Sequence, residues 1–118
     1  MKREIKITPE CHAFITEQPQ RVLDKFYEVI AVLIEIQVVG APYVKKLTNT
    51  RFYELRVKAV QEYRFILYPV DHENFTSAKK VLCLHGFIKK STKDYPKAIN
   101  RGNELLKIYV GNERTDQP

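Results

Sequence analysis

The sequence predicts an α+β fold: two helices, a three-stranded antiparallel meander, then a terminal helix. Three observations lead there. Apolar residues recur at helical spacing between positions 20 and 38. Strand-like segments follow one another between 52 and 88, and prolines and glycines fall at the joints. The chain has 118 residues, 44% apolar and 29% charged, the composition of a single folded domain over 1–118.

Arg3 to Ile7 alternates charge with isoleucine and is a candidate N-terminal strand, which would be a fourth. Thr8 and Pro9 read as the N-cap and first position of a short helix over 9–16, ending before Pro19. In 20–38, Leu23, Phe26, Tyr27, Ile30, Leu33 and Ile34 follow 3, 4, 7 spacing. Val29, Val32 and Ile36 widen that apolar side, so the helix either lies deep in the core or offers part of its face to a partner. Ile34 to Val38 also alternates with period 2, and Gly40 and Pro42 forbid continuation.

Tyr43 to Arg51 reads as a basic loop. In the first strand, 52–58, Tyr53, Leu55 and Val57 alternate with Glu54, Arg56 and Lys58. A second strand, 62–68, follows after a few residues, so the two form a hairpin. A polar loop leads to a third strand, 80–88, apolar on both faces and therefore interior. Gly86 within it marks a bulge or a close backbone approach. After the basic turn 89–94, a helix from 95 or 96 to 109 carries Ile99, Leu105, Leu106 and Tyr109 on its apolar side. Gly111 ends it, and 112–118 is read as a loose tail.

Several function classes are excluded. No segment is apolar enough to span a membrane, and the charged N-terminus does not resemble a signal peptide, so a cytoplasmic location is expected. Cys11 and Cys83 lie far apart and read as free thiols. His12, His72 and His85 fall in separate segments without metal-ligand spacing, and no phosphate-cradling glycine motif occurs. Neither metal nor cofactor is expected. Charge is the positive clue: the chain is net +6. Residues 1–40 carry 5 basic and 6 acidic side chains, residues 41–118 carry 15 and 8. Such a concentrated field attracts polyanions.

Arg56 lies on the polar face of its strand, and Arg64, between Tyr63 and Phe65, must point away from the core those rings need. The hairpin therefore puts both arginines on one sheet face, an open surface bordered by Lys89, Lys90 and Lys93. The same spacing allows the two arginines to pair across the hairpin with Glu62 and Glu54 instead. An arginine clamp suits RNA cleavage by the RNA's own 2′-OH, which needs charge stabilisation at phosphorus and proton transfer but no metal. A lysine crowded by cations could serve in proton transfer. His85 is either part of that face or a core-bonded strand residue.

Lys45-Lys46-Leu47, Phe52 to Val57, Tyr63-Arg64-Phe65 and Leu82 to Lys90, taken in order, resemble the RelE/ParE toxin superfamily, with the phage-derived HigB-like branch nearest. The resemblance covers about 43–100. It implies a type II toxin, a metal-independent endoribonuclease acting on mRNA at the ribosome, held by a helix-turn-helix antitoxin with which it reaches operator DNA. On that resemblance Arg56, Arg64, Lys89, Lys90 and Lys93 are the catalytic set, and Lys45, Lys46, Lys58 and His85 contact RNA. The alternatives are a ParE-like gyrase inhibitor and an inactive basic module of the same fold. Departures from the family pattern are Pro96 three residues after Lys93, Ala98 where glutamate is common, and Gly102 where alanine is usual.

Overall fold

Residues 2–40 and 42–111 are described by a computed structural model. The expected tail, 112–118, lies outside the described residues. The elements run β1 (Glu4–Ile7), α1 (Pro9–Thr16), α2 (Gln20–Glu35), β2 (Val44–Lys46), β3 (Tyr53–Ala59), β4 (Gln61–Pro69), β5 (Lys80–Ile88) and α3 (Asp94–Leu106). A π-helical turn over Lys107–Gly111 extends α3. The sheet order is β1-β5-β4-β3-β2. The meander expected from the sequence is its centre, but the sheet has five strands. The candidate N-terminal strand is real and pairs parallel to β5, with Ile5 opposite Val81. The stretch read as a basic loop contains β2, a three-residue edge strand with Lys45 opposite Glu54. Short edges rich in lysine resist pairing with other chains, and they give almost no periodic signal.

Strand alternation builds one core on each face. Leu55, Val57, Tyr63, Phe65, Leu67, Val81 and Cys83 face α1 and α2, where Phe26 packs on Phe65 with ring centroids 4.6 Å apart. From α2, Val22, Phe26, Val29, Ile30 and Leu33 are buried there, so most of its wide apolar side is used internally. Tyr27 on the same helix is left exposed. Phe52, Ile66, Tyr68, Leu82 and Leu84 face the other way and are covered by Ala98, Leu105, Leu106 and Val110. Gly102 lets α3 settle onto this face, because a Cβ there would lie 3.2 Å from Ile66 Cγ2.

Two sequence expectations about the strands hold in modified form. The irregularity on the β5 side falls between the pairs Ile66–His85 and Leu67–Cys83, so Leu84 is the extra residue. The bulge puts His85 on the α3 side with Leu84 instead of letting alternation turn it toward α1. Gly86 itself marks a close approach: a Cβ would sit 2.5 Å from the Phe65 ring and 2.8 Å from Phe14.

The helix ends also differ from the periodic reading, for identifiable reasons. At the start of α1, the Thr8 hydroxyl accepts the Cys11 N–H and donates to Leu84 O. Helix α2 ends at Glu35, not 38, and Ile36 is extended. Its final carbonyls have a partner that periodicity cannot show. The Arg3 N–H donates to Ile34 O at 2.8 Å. The Arg3 guanidinium donates to Leu33 O, Ile36 O and Gln37 O, and on its other side to Phe75 O, Thr76 O and Ala78 O. It stacks on Phe75 at 4.3 Å. Arg3 is only 2% exposed. A cation against the carbonyl end of a helix is favourable, and the six acceptors replace the water it lost. Helix α3 ends at Leu106 rather than 109 because the π turn takes over the remaining residues.

Two outcomes are expected. Gly86→Ala lowers unfolding free energy by about 1–3 kcal/mol through overpacking against Phe65. Arg3→Met lowers it by about 3 kcal/mol, because several buried carbonyls lose their donor together. Urea denaturation followed by circular dichroism measures both, and an unchanged midpoint for either variant contradicts the packing described.

Candidate functional site

Register places the charged residues. In the β3–β4 hairpin Arg56 is directly opposite Arg64, and Lys58 is opposite Glu62. Across β4–β5, Arg64 is opposite Phe87, and the Lys89 N–H donates to Glu62 O at 2.8 Å. The two arginines therefore share the sheet face bearing Glu54, as the spacing predicts. Two guanidinium groups so close need a counter-ion, and Glu54 supplies it. Arg56 Nε lies 2.7 Å and Arg64 Nε 3.3 Å from Glu54 Oε1. The Glu54 side chain is 2% exposed and that of Arg64 5%, whereas that of Arg56 is 30% exposed.

This corrects the expectation of an open two-arginine surface. Arg64 is enclosed: Nε, beside Glu54, also donates to the Tyr95 hydroxyl at 3.3 Å, and the terminal nitrogens donate to Tyr63 O and to Glu62 Oε1 at 3.4 Å. Both expected alternatives are present in part: one face holds the pair, and carboxylates hold Arg64. Tyr95, at the start of α3, covers Arg64 while its ring packs edge-on against Phe87 at 5.8 Å. Burial and the neighbouring Glu54 carboxylate raise the Tyr95 pKa, so the phenol keeps its proton near neutral pH. Glu54 raises the Arg56 pKa, chiefly through their hydrogen bond.

The lysines divide. Lys89 Nζ stands 5.9 Å from the Tyr95 ring, at the edge of the cluster. Lys90 and Lys93 are exposed in the turn before α3, where Asp94 accepts the N–H groups of Lys90 and Ser91. Those bonds lower the Asp94 pKa and fix the turn. Lys58 is exposed at the hairpin end, and Lys45 shares the Glu54 face. Lys46 does not join them. It lies over the Tyr53 ring at 5.2 Å and its ammonium donates to Thr50 O, at the opposite end of β3.

His85 is a further correction. The bulge turns it under α3, where Nε2 meets Ala98 O at 2.8 Å, so it cannot touch RNA while α3 is seated. Burial lowers its pKa. The sequence reading missed two residues of the cluster as chemical groups, Glu54 and Tyr95. Glu54 counted only as a surface pairing partner. Its place two residues before Arg56, on the same strand face, was the signal available. Among the described residues no group of three or more His, Cys, Asp or Glu could hold a metal ion, and no helix is long and apolar enough to cross a membrane.

The family model described as "Phage derived protein Gp49-like" matches residues 13–107, and the chain belongs to that family. A free-state arginine double mutant of the E. coli toxin RelE superposes with a TM-score of 0.62 at 13% identity. The match covers 86% of this chain and 98% of that one. No curated protein matches in sequence. Family and fold together place the chain in the RelE/ParE toxin superfamily.

One pH dependence follows from His85. Its folded pKa lies below the ordinary 6.5, so the unfolded chain binds the extra proton as pH falls. Stability therefore declines as pH drops below about 6.5. Urea midpoints between pH 7.5 and 5.5 should fall in the wild type and fall less in His85→Gln.

Proposed function

We propose that the protein is the toxin of a type II toxin–antitoxin pair and a metal-independent endoribonuclease acting on mRNA, with the ribosome as its setting. The carrying observation is the half-exposed Arg56 resting on a buried carboxylate, with a protonated phenol beside the same group. A substrate phosphate competes with Glu54 for the Arg56 guanidinium, which binds it through two N–H groups. The released Glu54 carboxylate takes the proton of the 2′-OH. The 2′-oxygen then bonds to phosphorus, the bond from phosphorus to the 5′-oxygen breaks, and that oxygen leaves with a proton from Tyr95 or Lys89. The products are a 2′,3′-cyclic phosphate and a 5′-hydroxyl. Arg64 acts as a positioning residue that keeps Glu54 in place. Lys45, Lys58, Lys90 and Lys93 hold the flanking RNA. The partner is a helix-turn-helix antitoxin, through which the complex reaches operator DNA, and the setting is the cytoplasm.

Burial of Arg64 favours a second reading, in which the ion cluster only braces the hairpin and the protein inhibits gyrase or binds without cutting. Purified protein with translating ribosomes, a defined mRNA and a metal chelator separates the two. Cleavage is expected with the chelator present. It should fall about 10²–10³-fold in Arg56→Ala and about 10²–10⁴-fold in Glu54→Gln. Intact mRNA together with blocked supercoiling would establish the gyrase reading. Arg64→Ala is a poorer probe, because it strips a buried carboxylate of one partner and disturbs the fold.

A further inference from the structure

A wide groove among the described residues lies away from the arginine cluster. It lies at the other end of the sheet, where β3 begins and β4 ends, and measures about 710 Å³. Lys46, Arg51 and His72 line it together with Tyr53, Glu73 and Asn74. Three cation-forming side chains thus face one carboxylate. Arg51 and His72 have no role in the ribonuclease reading, and Lys46 is separated from the arginine cluster.

We propose that this groove is a second subsite for the same single-stranded RNA, holding a nucleotide away from the bond that is cut; this rests on the ribonuclease reading. Four observations carry it. First, the volume lies within the range of pockets that hold small ligands of nucleotide size. Second, the donors are available. Arg51 is exposed and makes one side-chain hydrogen bond among the described residues, to Asn103 Oδ1 at 3.2 Å, leaving most of its fork for a phosphate. Third, His72 Nδ1 accepts the Asn74 N–H at 3.0 Å, so the neutral ring carries its proton on Nε2, a donor for a phosphate or base edge. Fourth, the place is right. Tyr53 starts the strand that bears Arg56 three residues on, roughly 10 Å along it but on the other sheet face. The exposed Lys45 and Lys46 of the edge strand β2 lie one on each face, so an RNA strand that rounds this edge can reach both sites. The Tyr53 ring, half-buried beneath the Lys46 ammonium, gives the groove an aromatic wall of the kind nucleobases stack against.

The test uses fluorescein-labelled all-deoxy oligonucleotides of 3 to 12 nucleotides, which lack the attacking hydroxyl, with the full chain. In the wild type, affinity should step up at the length that first spans both sites. Lys46→Met with Arg51→Met removes two phosphate contacts while keeping the side-chain stems. At about 0.7 per contact for a single strand, the salt slope of the longer probes should fall by about 1.4, and their affinity at 0.1 M salt by about 25-fold. Probes too short to span should bind the variant as they bind the wild type. A variant that melts like the wild type yet keeps the affinity step overturns the subsite, as does one that weakens all lengths equally. If the wild type binds no probe of any length, the ribonuclease reading itself fails, and the groove has no RNA to hold.

Discussion

Two guanidinium groups directly opposite each other on neighbouring strands repel, and Glu54 is what makes that register tolerable. Its carboxylate accepts a hydrogen bond from Arg56 and forms an ion pair with Arg64. The arrangement is costly. Burying ions forfeits hydration that their mutual attraction only partly returns, and apolar residues of like volume would hold a hairpin as well or better. A charged cluster in the middle of a sheet is therefore not explained by stability alone. It sets the chemistry the sheet can offer: one guanidinium with access to solvent, one locked, one acceptor between them. Tyr95 depends on the same group, since it approaches Glu54 and Arg64 only because α3 is seated on Ile66 and Phe52.

Most of the fold was legible in the sequence because it follows short-range rules. The Thr8–Pro9 start of α1, the β3–β4 hairpin and the span of β5 are local patterns, and the structure reproduces them. What escaped was non-local. The end of α2 is decided by Arg3, some thirty residues earlier, and no periodicity within the helix reports that. The edge strand β2 is too short to show alternation. The two cysteines, seventy-two positions apart, have sulfurs in contact at 3.5 Å as free thiols, a proximity that α1 packing on β5 creates.

The site was legible to the level of the face and not beyond it. Alternation correctly put Arg56 and Arg64 together, since a strand has only two sides. It could not say how deep each sits. Depth depends on α3, whose first turn closes over Arg64 and leaves Arg56 in reach of solvent. His85 illustrates the same limit: a one-residue bulge decides which core it joins, and bulges leave little trace in composition. The gathering of positive charge in the latter part of the chain proved informative in a different way. It reaches beyond the arginine cluster to Arg51 and Lys46 at the far end of the sheet.

The parallel pairing of β1 with β5 has a consequence for biosynthesis. Of the five strands, the earliest waits for the last, and Arg3 waits for carbonyls at 75, 76 and 78 before it can be buried. A nascent chain therefore cannot close its sheet until most of it has been translated, and contacts so distant in sequence slow folding. A chain cut short before Lys80 would carry Glu54, Arg56 and Arg64 but lack β5 and α3, and with them Tyr95, the phenol that covers Arg64.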